Sequence, residues 1–453
     1  MLRADVIPKH TDSNGWWHIL PKAPPSRALE GAAQARTLVI GAGVCGIAAA
    51  FRLGELTPDD EIIVLEAERA GFGASGRNAG FMLNLHSHGP PKELNILRRN
   101  MNLWASGLSD LRRRVQEFQL DCQWSEAGRF YGSAGPDGEK HIDEIAKTLD
   151  ALGLERSWLD RDAMERRTGT RFYNRGLYTP GNALVNPAAL MRGCAAHFPI
   201  NVTLFEETPA LTIDRKPRGF TGGFPGGFTG GFPGGFLVKT PKGEVSCERV
   251  VLANGVFMGH FGVAKGRYVP MATYASLTAP LADEQLAQFG SAEEFGLLGG
   301  SEYGATIRLT QDRRLMVRNY FNHMPNAPMP GARVSGPIAK LHRQAMLARW
   351  PDMVDVPFEH SWGGIMAFTG NDGCVFGAVE PGIFAVLTND VSPMTRGTAS
   401  GRLLADYMEG VDSKLLDLQL GMAGARRLPP RPFLDIGIAY RRAKLRWAAK
   451  QEF

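Results

Sequence analysis

Thr37-Leu-Val-Ile-Gly-Ala-Gly-Val-Cys-Gly-Ile-Ala-Ala-Ala-Phe51 decides the fold. An apolar run suited to a buried strand enters a glycine turn, and small apolar residues then open a helix. Gly41 makes the tight turn, Gly43 has no Cβ to block a pyrophosphate, and Gly46 lets the helix pack closely on the strand. The N–H groups and dipole of the helix N-terminus favour the phosphates. Twenty residues beyond Gly46 stands Glu66, closing a second apolar run, Ile62-Ile-Val-Leu65, where a carboxylate accepts hydrogen bonds from a ribose 2′-OH. A glycine pattern by itself is common. Strand, turn, helix, strand and acid in this order point to a dinucleotide.

The 453 residues, 44% hydrophobic and 21% charged, suit a globular chain of two or three domains. A net charge of +5 is too small to argue for nucleic acid, and no nucleic-acid motif is present. The five cysteines, Cys45, Cys122, Cys194, Cys247 and Cys374, are scattered and lack CxxC spacing, so neither a disulfide framework nor a metal site is expected. Met1 to Leu20 carries charges in place of an apolar signal core, and no run approaches eighteen apolar residues. The expectation is a cytoplasmic protein without an integral membrane span.

A second glycine cluster, Gly71-Phe-Gly-Ala-Ser-Gly-Arg-Asn-Ala-Gly-Phe81, leaves the C-terminal end of the second strand, where open α/β sheets bind ligands. Close-approach glycines stand here beside Ser75, Arg77 and Asn78. NAD has no need of such a loop, whereas a longer cofactor lying across the sheet top does. On Val39-Ile-Gly-Ala-Gly43 with Gly46, then Glu66, then Gly73-Ala-Ser-Gly-Arg-Asn-Ala-Gly-Phe81, the sequence resembles the D-amino-acid oxidase-like (DAO) family of FAD oxidoreductases. That family includes glycine oxidase, sarcosine oxidase and γ-glutamylputrescine oxidase-like proteins. The resemblance implies FAD, with Gly41, Gly43 and Gly46 at the pyrophosphate, Glu66 at the adenosine ribose, and Ser75, Gly76, Arg77 and Asn78 at the phosphate–ribityl–flavin region.

Further along, residues 92–118 hold apolar positions at helical spacing, and helices are also expected over 140–152, from 160 to 167 and over 340–350. Asn186 is placed to cap a helix that Pro187 opens. Val202 to Ile213 reads as a strand, Phe236 to Thr240 as its partner, and Arg249 to Gly255 as a buried strand and turn. Between the first two lies a Gly/Phe repeat with phenylalanine at 220, 224, 228, 232 and 236; glycine is not every third residue, so collagen is excluded and a dispensable hairpin insertion is expected. The resemblance implies backbone contacts to the cofactor from Ala210, Ala253 and Gly255.

Residues 256–355 change to β-like runs such as Met271 to Leu277 and Arg314 to Tyr320, which suits a mainly antiparallel substrate domain. Lone candidates there are Tyr303, Arg308, Arg318, Tyr320 and His323; an arginine facing the flavin suits a carboxylate or sulfonate. Phe358 to Gly377 resembles the family's WxG…TxDxxPxxG stretch through Trp362, Gly363, Thr369 and Asp372, with Cys374 or Val375 in place of proline. The last strand opens onto Thr388 to Gly401, implied to lie at the flavin edge through Thr395, Arg396 and Gly397; Asn389-Asp390 replaces a glycine-rich run there. Thr395-Arg-Gly-Thr398 matches γ-glutamylputrescine oxidase-type relatives better than glycine oxidase-type ones, and the arm and loop resemble taurine dehydrogenase large subunits.

The expected architecture is α/β: a Rossmann-like FAD-binding domain (36–91, 168–255 and 356–425, with the insertion at 217–236) and an inserted, mainly antiparallel β substrate domain (92–167 and 256–355). An extended arm (1–35) precedes them and a basic C-terminal tail helix (426–453) follows. The implied activity is oxidation of an amine or amino acid, including an aminosulfonate, by hydride transfer to flavin, giving an imine that water hydrolyses. Reoxidation falls to O₂ or to a quinone or cytochrome. Candidate catalytic residues are Arg318, Tyr320 and Trp362. A flavin-bearing binding or assembly protein, and an NAD-dependent dehydrogenase, stay open as alternatives.

Overall fold

A computed structural model describes residues 1–4, 6–8, 14–85, 93–216, 234–324, 334–389 and 392–452. Most of the Gly/Phe repeat (217–233) and Asp390 lie outside the described residues.

Two sheets carry the fold. In the first, the strand Gly31–Ile40 lies parallel between Ile62–Leu65 and Gly243–Leu252, and Val202–Phe205 extends the parallel set beyond Ile62–Leu65. The far edge of Gly243–Leu252 forks: residues 244–247 take antiparallel Phe236–Lys239, while residues 250–252 take parallel Ile383–Leu387. The central strands are buried on both faces, as their unbroken apolar runs require. The second sheet runs in the order Phe358–Phe368, Val269–Thr278, Leu315–His323, Thr306–Leu309, Phe295–Gly299, Arg129–Ser133, Arg175–Thr179, Ser157–Asp160. It is antiparallel except where Phe295–Gly299 meets Arg129–Ser133. Among the described residues no helix is long and apolar enough to cross a membrane.

Three expectations change at this level. Arg175–Thr179 and Phe358–Phe368, read from the sequence as parts of the FAD-binding segments, hydrogen-bond in the second sheet. Val202 to Ile213 is two strands: Val202–Phe205 pairs in parallel with Ile62–Leu65, whereas Thr212–Arg215 runs antiparallel to Phe236–Lys239. Pro209 between them has no N–H for a ladder, so one apolar run serves two neighbours. The arm is not simply extended: Leu2–Arg3 pairs with Thr212–Arg215, and a short helix, Gly15–His18, drops Trp16 into the interior.

Trp16 is fully buried, its Nε1–H donates to the Asn78 carbonyl (2.8 Å), and its ring meets Trp362 edge-on at 5.9 Å. Trp362 Nε1–H donates in turn to the Arg77 carbonyl at 3.0 Å. Two indoles thus hold the loop at 71–81 from beneath. Asn186 accepts from the N–H groups of Ala188 and Ala189 and caps Pro187–Ala196 as its sequence position required.

Replacing Trp16 with Ala opens a large cavity and leaves the Asn78 carbonyl without its donor, a loss of about 3–5 kcal/mol. Urea unfolding measures it; a loss under about 1 kcal/mol would show that the arm is not part of the core.

Candidate active site

The helix Val44–Leu56 begins directly at the turn of Gly41 and Gly43. Gly41 has φ +105°, and a Cβ there would stand 2.8 Å from the Ala253 carbonyl oxygen. A Cβ on Gly46 would stand 1.8 Å from the Gly41 carbonyl oxygen, so that residue is needed for helix–turn packing. The Val44 N–H donates to Ser75 Oγ (2.9 Å), which ties the second glycine loop to the helix N-terminus.

A cavity of about 880 Å³ starts at this turn and runs to the second sheet. Gly41, Gly43, Glu66, Ser75, Arg77, Asn78, Ala210, Ala253 and Gly255 all line it, although they come from four separated parts of the chain. Gly46, Gly76, Thr395, Arg396 and Gly397 do not. A Cβ on Gly76 would meet the Gly71 carbonyl oxygen at 2.0 Å, and one on Gly397 the Val44 side chain at 2.6 Å, so these glycines serve close packing behind the cavity wall. Thr395 Oγ1–H donates to the Leu83 carbonyl, 2.7 Å away.

Arg396 is buried and pairs with Asp372 through Nη1 (2.9 Å), while Asn389 Nδ2 donates to the same carboxylate oxygen at 2.7 Å. Asn389 Oδ1 accepts from the Thr369 N–H. Asp372, Thr369, Asn389 and Ser392 line the cavity at the start of the helix Pro393–Met408, and Arg396 holds them from outside. The exchange of glycines for Asn389 thus gives this rim a side-chain clamp. Arg77 donates from Nε to the Phe72 carbonyl (2.8 Å) and from Nη1 to the Gly363 carbonyl (3.0 Å), joining the loop to the second sheet. Asn78 bridges its own loop, donating to the Ser75 carbonyl and accepting from the Gly80 N–H.

Glu66 accepts from the N–H groups of Ala42 (2.8 Å) and Glu68 (3.0 Å). Although the residue is only half-buried, protein packs densely around its carboxyl. Burial outweighs the two donors and pushes its pKa up to about 7.

At the opposite end Arg318, on Leu315–His323, lines the cavity. Its Nε donates to Thr273 Oγ1 (3.2 Å) and its Nη1 to Thr306 Oγ1 (3.0 Å). No carboxylate among the described residues pairs with it, and burial lowers its pKa to about 10. A guanidinium that keeps its charge in such surroundings calls for an anion. Tyr320 is the bulged residue between Asn319 and Phe321, with φ +66°. The extra residue reverses side-chain alternation, so that Arg318 and Phe321 both face the cavity while Tyr320 does not. Tyr320 instead accepts from Arg442 Nη2 at 3.3 Å.

Of the three catalytic candidates only Arg318 reaches the cavity; Trp362 is packed beneath the loop and Tyr320 points to the C-terminal helix. Arg308 is fully buried on Glu294 (2.9 Å) and His323 lies 3.7 Å from Asp435, both structural contacts. Tyr303 lines the cavity, its hydroxyl accepting from the Phe321 N–H at 3.1 Å. Sequence reasoning missed Thr273, Thr306 and Phe321: the bulge hid the parity of Phe321, while Thr273 and Thr306 meet Arg318 only through the pairing of separate strands. The basic C-terminal tail helix expected over 426–453 is present at Phe433–Ala448, but nothing in the sequence pointed to its Leu434, Ile438, Arg441, Arg442 and Leu445 lining the same cavity.

The residues present fit FAD. A Cβ on Gly255 would meet nothing within 4 Å and one on Gly43 only Ser75 Oγ, so backbone opens directly on the cavity where a pyrophosphate needs close approach.

Comparison with known proteins agrees. The family model described as FAD dependent oxidoreductase (DAO) matches residues 36–407. The chain is 24% identical over 420 residues to γ-glutamylputrescine oxidoreductase of Escherichia coli K12, covering 89% of this chain and 91% of that one. Among solved structures it resembles glycine oxidase from Geobacillus kaustophilus (TM-score 0.67, 18% identity, 88% of this chain and 100% of that one). It also resembles an L-amino acid deaminase from Proteus myxofaciens in complex with anthranilate (TM-score 0.66, 16% identity, 92% and 97%).

Two outcomes follow from the turn and its acid. Gly46→Ala forces the Gly41 carbonyl aside, and FAD content of the purified protein should fall at least about tenfold with far-UV CD unchanged; full FAD content would contradict the packing role. Glu66 has a raised folded-state pKa, so its contribution to stability is present below 4.5 and lost as pH rises through about 7. The melting temperature of cofactor-free protein, relative to Glu66→Gln, should therefore decline across that window, and a flat difference would contradict the burial.

Proposed function

The chain belongs to the family of FAD dependent oxidoreductases that the DAO model describes, and from that premise we propose that it oxidises the C–N bond of an amine or amino acid carrying an anionic group. FAD, and not NAD, is its cofactor. The observation that carries the substrate reading is the Arg318 guanidinium, inside the cofactor cavity with two threonine hydroxyls and no acid among the described residues. The names of the similar proteins agree in kind: γ-glutamylputrescine, glycine and L-amino acids all carry an amine.

In this reading FAD, when bound, supplies the two-electron acceptor. The protein binds and orients. Gly41, Gly43 and the N-terminus of Val44–Leu56, which line the cavity, would hold the pyrophosphate, and Glu66 the ribose hydroxyls. Arg318 takes the substrate's carboxylate or sulfonate in two parallel hydrogen bonds, which fixes the carbon beside the amine. Thr273 and Thr306 keep the guanidinium aimed, and Tyr303 and Phe321 wall the cavity with apolar surface. The positive charge of Arg318 also disfavours the ammonium form of a substrate held beside it, so the amine gives up its proton to solvent before oxidation. The imine product hydrolyses in water, and O₂ or a quinone or cytochrome accepts the electrons.

Arg318→Ala should raise KM for an anionic amine at least about tenfold, the worth of a charge-assisted hydrogen bond, without loss of FAD. Anaerobic bleaching of the flavin by a panel of amines, amino acids and aminosulfonates is the direct assay. If no member bleaches a fully loaded wild-type protein, the amine-oxidising reading fails and a flavin-bearing scaffold replaces it.

A further inference from the structure

The basic segment at the C-terminus is a fixed wall of the cavity. Its end is anchored by Glu452, which is buried: the N–H groups of Ala134 and Ser301 donate to its carboxylate, and its carbonyl accepts from Ala305 N–H and Arg349 Nη2. Gly138 leaves room for that carboxylate, since a Cβ there would stand 1.8 Å from Glu452 Oε1. This anchor fixes the preceding helix, Phe433–Ala448, so that Leu434, Ile438 and Leu445 form an apolar strip over the cavity with Arg441 and Arg442 beside it.

Of the two arginines, Arg442 has no acid partner among the described residues and Arg441 has one distant one. Arg442 donates to the Tyr320 hydroxyl (3.3 Å) and lies over its ring at 5.8 Å, and no acid among the described residues pairs with it. Arg441 is 4.0 Å from Glu302, at the limit of an ion pair, and is itself 68% exposed. Tyr320 is next but one to Arg318 in the chain and adjoins Phe321, whose ring lies 4.9 Å from the Arg318 guanidinium. This end of the cavity therefore carries three guanidinium groups against the single carboxylate of Glu302. One anchoring arginine suits a monoanion, and the surplus charge on this helix suits a second anionic group.

We propose that Arg441 and Arg442 form a second anion subsite in the substrate cavity, so that the preferred substrate is an amine bearing two anionic groups, one held by Arg318 and the other by the C-terminal helix. This rests on the reading of the Arg318 end as the substrate site. The apolar strip of Leu434, Ile438 and Leu445 suits a methylene chain between the two groups.

Titration of the FAD-loaded enzyme tests the inference. Straight-chain dicarboxylates from malonate to adipate are compared with monocarboxylates of equal length, using the shift of the flavin absorption bands. The best dicarboxylate should bind at least about tenfold more tightly than its monocarboxylate, the equivalent of 1.4 kcal/mol. Arg441→Ala/Arg442→Ala should abolish that advantage and leave the monocarboxylate Kd within about twofold, whereas Arg441→Lys/Arg442→Lys, which keeps the charge and the stem packing, should retain part of it. Absence of a dicarboxylate advantage in the wild type, or its survival in the double Ala variant, would overturn the subsite. If neither class perturbs the flavin, the Arg318 reading itself fails and takes the subsite with it.

Discussion

Backbone meets backbone at a few glycines, and the cofactor cavity depends on those contacts. A Cβ on Gly46 would lie 1.8 Å from the Gly41 oxygen, one on Gly401 2.2 Å from the Cys45 oxygen, and one on Gly107 1.9 Å from the Thr395 oxygen. Three helices, Leu94–Glu117, Val44–Leu56 and Pro393–Met408, are thereby stacked at separations that no larger residue permits. The consequence reaches the chemistry. The starts of Val44–Leu56 and Pro393–Met408 both open on the cavity, where their N–H groups and dipoles face any anionic or electron-rich part of a bound cofactor.

The cavity is electrically divided. Glu66 and the helix N-termini occupy one end; Arg318, Arg441 and Arg442 occupy the other. Each end carries a local cost of burial. Glu66 sits in packing that opposes its ionised form, and in the proposed reading the ribose hydroxyls are donors that relieve it. Arg318 has hydroxyls where a buried guanidinium ordinarily has a carboxylate. Stability alone does not favour either arrangement. The clamp of Asp372, Asn389 and Arg396 shows the contrast: there the charges are mutually satisfied, and the group acts as scaffold.

The cofactor end was legible in the sequence because it obeys local rules. Strand, Gly41 turn, helix and Glu66 are short-range neighbours with fixed spacing, and the loop at 71–81 carries its own glycine signature. What those rules did not separate was contact from support. Gly46, Gly76 and Gly397 read as cofactor residues, and their space is filled by protein backbone and side chains. Arg396 read likewise, and its charge is spent on Asp372. The substrate end was less legible because its geometry is nonlocal. Arg318 was one of several arginines until the bulge at Tyr320 set which side chains share a face, and the role of the C-terminal helix follows from Glu452 docking 151 residues away in sequence, at Ser301.

The central claim is that one cavity holds FAD against the glycine turn and an anionic substrate against Arg318. A crystal structure of the FAD-loaded enzyme with a non-reactive carboxylate such as benzoate tests it most directly. The account predicts the pyrophosphate at Gly41 and Gly43 and the carboxylate at charge-assisted hydrogen-bond distance, about 2.7–2.9 Å, from Arg318. A carboxylate bound elsewhere, with Arg318 still on its two threonines alone, would contradict it.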